Sequence, residues 1–123
     1  MGKKRILIAD DDQAFLMGLA IRLRKHNFEV ITANSGCDAL RKAMRRRPDV
    51  IITDVNMPHG DGFTIQGRLE NLSWGPPPII YVTGDKSGRM ETRLWQFDAG
   101  AVFFKPLDIH ELLRTIDDVL TAA

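Results

Sequence analysis

The chain has 123 residues, enough for one domain, because compact domains usually span about 100 to 200 residues. Its 17 Lys and Arg residues against 16 Asp and Glu residues leave a formal net charge of +1, which argues against direct binding to nucleic acid or to an anionic membrane. No apolar run approaches the roughly 18 residues of a membrane span, and a single cysteine, Cys37, excludes an internal disulfide. We therefore expect one globular domain over residues 1–123, in the cytoplasm and without membrane insertion.

The first predicted strand stops at a run of acids. Ile6–Ala9 is a short apolar run, and Asp10, Asp11 and Asp12 follow it directly. Apolar residues then recur at helical spacing in residues 15–23, with Asp12 as the predicted N-cap. This pattern predicts a buried strand that ends at a polar edge and leads into a helix.

A second strand and a second helix follow in the same order. Residues 28–33 are strand-like, and Ser35 opens a capping-box pattern. The predicted helix carries Leu40 and Met44 and ends before Pro48, which cannot continue a helix.

The rest of the chain repeats this alternation three times. Each of its apolar runs leads to a polar side chain, namely Asp54, Thr83 and Lys105. The predicted strands are residues 49–53, 79–82 and 101–104, and the predicted helices are residues 63–72, residues 87–98 and a last helix capped by Asp108 and Glu111.

Five strand and helix units in strict alternation predict an α/β fold, a parallel sheet with helices on both faces. Right-handed crossovers and the short chain favour a flavodoxin-like, doubly wound, five-stranded sheet in the order 2-1-3-4-5 with five helices.

Polar side chains at the carboxyl ends of four strands are predicted to meet, because ligands bind at that edge of such sheets. Asp10 and Asp11 follow the first strand, Asp54 the third, Thr83 the fourth and Lys105 the fifth. Taken singly, each has an ordinary structural role as a helix cap, a turn hydroxyl or a surface lysine. Taken together, three adjacent carboxylates repel one another unless a cation lies among them.

The residue types at this edge favour Mg²⁺ and phosphoryl chemistry. Oxygen ligands without nearby His or Cys suit Mg²⁺, which commonly bridges to phosphate. A carboxylate can attack phosphorus to form an acyl phosphate, while Lys105 and Thr83 contact the phosphoryl oxygens. We select Asp54 as the nucleophile because it ends a central strand, whereas the consecutive Asp10 and Asp11 suit metal binding.

The motifs around these residues resemble the receiver domain of bacterial two-component response regulators. They cover the chain in the family's order and spacing, and they are residues 6–12, 48–58, 60–62, 82–84 and Lys105-Pro106. The resemblance implies that Asp54 is the phosphoacceptor. It also implies that Asp10 and Asp11 hold Mg²⁺ together with Asp54 and the backbone carbonyl of Asn56.

The same resemblance implies roles for the last two strands. Thr83 is expected to be the switch hydroxyl that turns toward the phosphoryl group, and Lys105 its counter-ion, followed by a cis Lys105-Pro106 bond. The family usually carries an aromatic switch residue three positions before this lysine, whereas this chain has Val102. Either Phe103 or Phe104 replaces that aromatic residue, or the coupling from Thr83 to the outer face differs.

The resemblance further implies partners and limits on activity. A sensor histidine kinase or a histidine phosphotransfer protein would donate the phosphoryl group, docking near Met17 and Ile21 of the first helix. The phosphorylated form would control a downstream protein target or output domain, and this chain would contain no output domain. It would be no enzyme beyond promoting its own phosphorylation and dephosphorylation.

Two other functions remain open on the residues. A phosphatase of the haloacid dehalogenase type shares the Asp nucleophile, Thr, Lys and Mg²⁺, but it needs an acid where this chain has Asn56. A pseudo-receiver would act as an interaction module without phosphorylation, although the intact acidic set argues against it.

Overall fold

Five parallel strands form one sheet in the order β2-β1-β3-β4-β5, as predicted, in the computed structural model of the chain. The structure describes residues 2–55, 57, 68, 75, 77–84 and 101–122. The strands are β1 (Arg5–Ala9), β2 (Glu29–Ala33), β3 (Val50–Asp54), β4 (Ile79–Thr83) and β5 (Ala101–Phe104). Their bounds differ from the predicted ones by no more than one residue.

Three helices lie within the described residues: α1 (Gln13–Lys25), α2 (Gly36–Arg46) and α3 (Ile109–Thr121). Of the predicted helix at residues 63–72 the structure describes only Arg68, which is helical, and the predicted helix at residues 87–98 lies outside the described residues. Within the part of the chain that the structure describes, no helix is both long and apolar enough to span a bilayer.

Buried apolar side chains lie on both faces of the sheet, because successive residues of these apolar strands point to opposite sides. On one side, the α2-side cluster comprises Leu7, Ala9, Ile31, Ala33, Ala39, Ala43, Ile51, Val55, Ile79 and Tyr81. On the other, the α1/α3-side cluster comprises Ile6, Ile8, Leu16, Leu19, Ala20, Leu23, Val50, Ile52, Ile80, Val82, Leu112 and Ile116. Full burial of each large aliphatic side chain stabilises the fold by about 1.5 to 3 kcal/mol, which fixes the strands in register.

Each described helix begins at the residue that the sequence predicts. The side chains of Asp12, Ser35 and Asp108 are the N-caps, and each accepts a hydrogen bond from a backbone N–H of the first turn. These bonds satisfy N–H groups that have no partner within the helix. Because α1 follows β1 so closely, its cap lies beside the carboxyl edge of the sheet.

The opposite, amino edge of the sheet is organised around Arg5. Its backbone N–H donates to Asp49 Oδ2 over 2.8 Å, its Nη1 donates to the Arg46 carbonyl over 2.7 Å, and its Nε contacts Glu29. The hydrogen bond from Arg5 lowers the pKa of Glu29, although desolvation opposes the shift, and the charges of Arg5 and Arg46 lower it further. Exposed pairs of this kind contribute little stability, so their role is to join the ends of β1, β2 and α2.

We predict that Ser35→Ala lowers the free energy of unfolding by about 1 kcal/mol, because Ser35 Oγ accepts from the Asp38 N–H over 3.1 Å and alanine cannot. Urea denaturation followed by circular dichroism measures this change. Ser35→Asp should keep the cap and the stability, and Cys37→Ser, two positions further along at an exposed site, is the matched control. Equal stability of Ser35→Ala and the wild type would contradict the capping role.

Candidate functional site

Four strands deliver polar side chains to the carboxyl edge of the sheet. Asp10 follows β1, Asp54 ends β3, Thr83 ends β4 and Lys105 follows β5. The Lys105 backbone N–H donates to the Thr83 carbonyl over 2.9 Å, which continues the pairing of β4 with β5 beyond the last strand residue. Backbone pairing between neighbouring strands therefore places side chains that are distant in sequence at one edge.

Three carboxylates form one acidic cluster at this edge. One carboxylate oxygen each from Asp10, Asp11 and Asp54 lie within 4.8 Å of one another. Asp10 is 1% exposed, the Asp54 side chain is 12% exposed, and Asp11 faces solvent. Like charges this close in a partly desolvated place repel strongly, so the cluster requires a compensating cation.

Lys105 supplies one positive charge to the cluster. Its Nζ lies 2.9 Å from Asp10 Oδ2 and 3.7 Å from Asp54 Oδ2. Burial of the ammonium acts to lower its pKa, but the contact with Asp10 and the charges of Asp10, Asp54 and Asp12 outweigh burial, so the pKa of Lys105 is raised. The lysine is therefore protonated at neutral pH and sits closer to Asp10 than to Asp54.

Asp10 has one oxygen that is satisfied and one that is not. Oδ1 accepts a hydrogen bond from the Asp12 backbone N–H over 2.9 Å. Oδ2 is buried and has no hydrogen bond from the described residues, since Lys105 approaches it at ion-pair distance but outside hydrogen-bonding geometry. A buried carboxylate oxygen without a hydrogen bond is a favourable ligand for a cation.

The three carboxylates fit Mg²⁺ in ligand type and in spacing. Oxygens that share one Mg²⁺ ion lie at most about 4.2 Å apart, because each metal bond is about 2.1 Å long. The observed limit of 4.8 Å requires only a small contraction to reach that spacing. Asn56, whose carbonyl is expected to be a further ligand, lies outside the described residues.

Thr83 is buried at the end of β4 and is 1% exposed. The register pairs Val82 with Asp54, so Thr83 lies one position beyond the strand partner of Asp54. A side chain added at the following residue, Gly84, would meet no described atom within 4 Å of its Cβ. As far as the described residues show, there is therefore space beside Gly84 at this edge.

The aromatic residues of β5 point to different faces of the sheet. Val102 packs against the α2-side cluster, whereas Phe103 packs against the α1/α3-side cluster. Alternation along the strand puts Phe104 on the same face as Val102, and the register pairs it with Thr83. Of the two candidate replacements for the aromatic switch residue, the geometry favours Phe104.

Lys105 is followed by a cis peptide bond and contacts an aromatic ring. The Lys105-Pro106 peptide bond is cis, in agreement with the expectation from the sequence. Phe15, in the first turn of α1, places its ring beneath the ammonium, with Nζ 4.3 Å from the ring centroid. Helical periodicity alone assigns Phe15 to the core. The sequence feature that indicates contact with the site is its position three residues after the acidic run.

Comparisons with known proteins agree with this fold. The family model of the response regulator receiver domain matches residues 6–117. Protein PilH of Pseudomonas aeruginosa is 34% identical over 119 residues, which cover 94% of this chain and 97% of PilH. The chemotaxis response regulator CheY4 of Vibrio cholerae superposes with a TM-score of 0.85 at 31% identity, covering 95% of this chain and 98% of that chain.

Longer proteins also match. The transcriptional regulatory protein PrrA of Mycobacterium tuberculosis is 35% identical over 118 residues, which cover 94% of this chain and 49% of PrrA. The chain thus spans about half the length of this relative.

We predict that Asp10→Asn lowers the pKa of Lys105 in the metal-free protein. The substitution removes the largest contributions that raise the pKa and leaves burial, which lowers it. An NMR titration of the lysine side chain measures the change, and Asp49→Asn, at the amino edge, is the control that should leave the Lys105 pKa unchanged. An unaltered Lys105 pKa in Asp10→Asn would show that the ion pair is absent in solution.

The same shift has a consequence for stability. Because the folded-state pKa lies above the unfolded value of 10.5, the ion pair stabilises the fold below that pH, and the stabilisation is lost as pH rises through the folded pKa. The alkaline loss of stability should therefore be smaller in Asp10→Asn than in the wild type.

Proposed function

Since the chain belongs to the response regulator receiver domain family, we propose that Asp54 is the residue on which it accepts a phosphoryl group. Receiver domains act in two-component phosphorelay signalling as phosphoacceptors, and they are not a classical enzyme family. The observation that carries the assignment is the single cluster formed by carboxylates from β1 and β3 and the ammonium that follows β5.

The geometry around Asp54 supports its role as nucleophile. Its carboxylate is partly exposed, whereas Asp10 is buried, so an incoming phosphoryl group can reach Asp54 more readily. In the transfer, an Asp54 oxygen forms a bond to phosphorus while the bond from phosphorus to the donor's histidine nitrogen breaks. The imidazole leaves as a neutral group once it carries a proton, and Asp54 becomes an acyl phosphate.

Lys105 and Thr83 complete the site around the transferred group. The ammonium, 3.7 Å from Asp54 Oδ2, can donate to one phosphoryl oxygen, and the Thr83 hydroxyl can donate to another. Such preorganised donors stabilise the charge that develops during transfer.

Receiver domains typically bind Mg²⁺, and we assign its ligands to Asp10, Asp11, Asp54 and the backbone carbonyl of Asn56. When bound, the metal supplies positive charge that neutralises phosphoryl oxygens during transfer. The buried, unsatisfied Oδ2 of Asp10 supports this assignment. Lys105 would then be released from Asp10 and become available to the phosphoryl group.

Phosphorylation of Asp54 would shift the domain between an inactive and an active population. Thr83 would turn toward the phosphoryl group, and Phe104, which pairs with it across β4 and β5, would adjust in turn. This route would carry the signal to the face of the sheet that Val102 also occupies.

Response regulators interact with kinases and output targets, and the α1 surface suits the first of these partners. Met17 and Ile21 on α1 are 62% and 50% exposed. The same helix, through Gly18, lines a groove together with Pro106 and Leu107, next to the lysine of the site. We assign this surface to a sensor histidine kinase or a histidine phosphotransfer protein, because an apolar patch close to the acceptor suits a docked donor.

The remaining proposals concern the limits of the activity. Residues 1–123 act as a receiver domain, in the cytoplasm, and control a downstream protein or an output domain without contacting nucleic acid or entering a membrane. The chain promotes its own phosphorylation and dephosphorylation but turns over no other substrate.

We predict that the protein gains a single phosphate when it is incubated with Mg²⁺ and a small phosphodonor such as acetyl phosphate, and that Asp54→Asn gains none. Intact-mass spectrometry measures the uptake. Asp117→Asn, on the exposed side of α3, is the matched control and should be phosphorylated like the wild type.

Each alternative function predicts a different result in this experiment or in assays of phosphatase activity and Mg²⁺ binding. Phosphate uptake by Asp54→Asn would refute the assignment of the acceptor. Steady turnover of a phosphate monoester would favour the phosphatase, and absence of both uptake and Mg²⁺ binding would favour the pseudo-receiver.

We predict that Asp10→Asn and Asp11→Asn each weaken Mg²⁺ binding by at least about tenfold, because each removes a charged oxygen ligand. Lys105→Met should bind Mg²⁺ more tightly than the wild type, because the competing ammonium no longer lies 2.9 Å from Asp10. Isothermal titration calorimetry gives the affinities, with Asp117→Asn as the control. Equal affinities throughout would place the metal elsewhere.

A further inference from the structure

Phe15 places its aromatic ring against the charged site. Its ring centroid lies 4.3 Å from Lys105 Nζ, within the distance at which a ring face attracts a cation. The ammonium thus contacts both the Asp10 carboxylate and the Phe15 ring. We propose that Phe15 is a positioning residue, which holds the Lys105 ammonium where it can meet a phosphoryl group on Asp54.

The position of the ring is fixed by a closed circuit of four contacts. The Asp12 N–H donates to Asp10 Oδ1 over 2.9 Å, and the Phe15 N–H donates to Asp12 Oδ1 over 3.2 Å. The Phe15 ring then contacts Lys105, and Lys105 contacts the other oxygen of Asp10. The helix cap therefore sets the ring relative to the same carboxylate that binds the lysine.

This circuit matters because Lys105 has to change partner. Its ammonium lies 0.8 Å closer to Asp10 than to Asp54, the difference between 3.7 and 2.9 Å. Asp10 is also the residue with the buried, unsatisfied oxygen, so a metal ion would compete with the lysine for it. The ring is neutral and cannot bind the metal, and so it holds the ammonium near Asp54 after Asp10 is engaged.

Phe15 also faces the groove beside α1. Gly18, Pro106 and Leu107 line this groove together with Phe15. Phe15 therefore contacts the site through Lys105 and also forms part of the α1 surface that we assign to the donor protein. A donor that packs against Phe15 would restrict the ring and, through it, the ammonium.

A first experiment tests the contact without any phosphodonor or metal. A ring face shifts the resonances of nearby protons, so the Lys105 ε-methylene signals should lie upfield in the wild type and in Phe15→Tyr. In Phe15→Leu they should move to ordinary lysine positions. An unchanged Lys105 signal in Phe15→Leu would overturn the proposal.

A second experiment tests the effect on the reaction, and it rests on the proposed function of Asp54. Phosphorylation by acetyl phosphate at saturating Mg²⁺ should slow by about threefold to tenfold in Phe15→Leu and stay near the wild-type rate in Phe15→Tyr. Phe28→Leu is the matched control, because Phe28 packs against the same α1/α3-side cluster but lines a cavity at the amino edge. Equal slowing by Phe28→Leu would mean that lost packing, not lost positioning, is the cause.

A double-mutant comparison separates positioning from general destabilisation. In a Lys105→Met background, Phe15→Leu should cause no further slowing, because the ammonium that the ring positions is gone. A further loss of similar size would overturn the proposal. A wild-type protein that gains no phosphate would refute the proposed function of Asp54, whereas the NMR comparison would still decide whether Phe15 holds Lys105.

Discussion

The mutual repulsion of three carboxylates is the constraint on which the arrangement of the candidate site depends. Oxygens of Asp10, Asp11 and Asp54 lie within 4.8 Å of one another, and Asp10 is buried. In such surroundings each uncompensated charge is costly, so the cluster persists only because other groups are held against it. Lys105 provides the opposite charge, and the Asp12 N–H fixes the orientation of Asp10. A cluster whose carboxylates repel one another in the absence of a cation is well suited to bind a cation.

The parallel sheet is what makes this arrangement possible. Its two apolar faces fix the strands in register, and the register fixes which side chains emerge at the carboxyl edge. Asp10, Asp54 and Lys105 are far apart in sequence, yet they need no long loop to meet. The two apolar faces hold the fold, so the charged site does not have to do so.

Most of the fold could be predicted from the sequence, because each strand is a short apolar run that ends at a polar residue and each described helix begins at a strong N-cap. The convergence of Asp10, Asp54 and Lys105 followed from topology alone. The contact of Phe15 with Lys105 did not, because helical periodicity assigns that ring to the core and gives no information on lysine rotamers. Likewise, only the register of β4 with β5 distinguishes Phe103 from Phe104 beside Thr83.

Asp12 connects the first turn of α1 directly to the acidic cluster. Asp12 joins the Asp10 carboxylate, which follows β1, to the first turn of the helix, so the start of the helix is coupled to Asp10. Met17 lies about 7.5 Å along this axis from Asp12, at 1.5 Å per residue. For a donor protein that docks on Met17, as we propose, this distance would set how far its histidine has to extend to reach the acidic cluster.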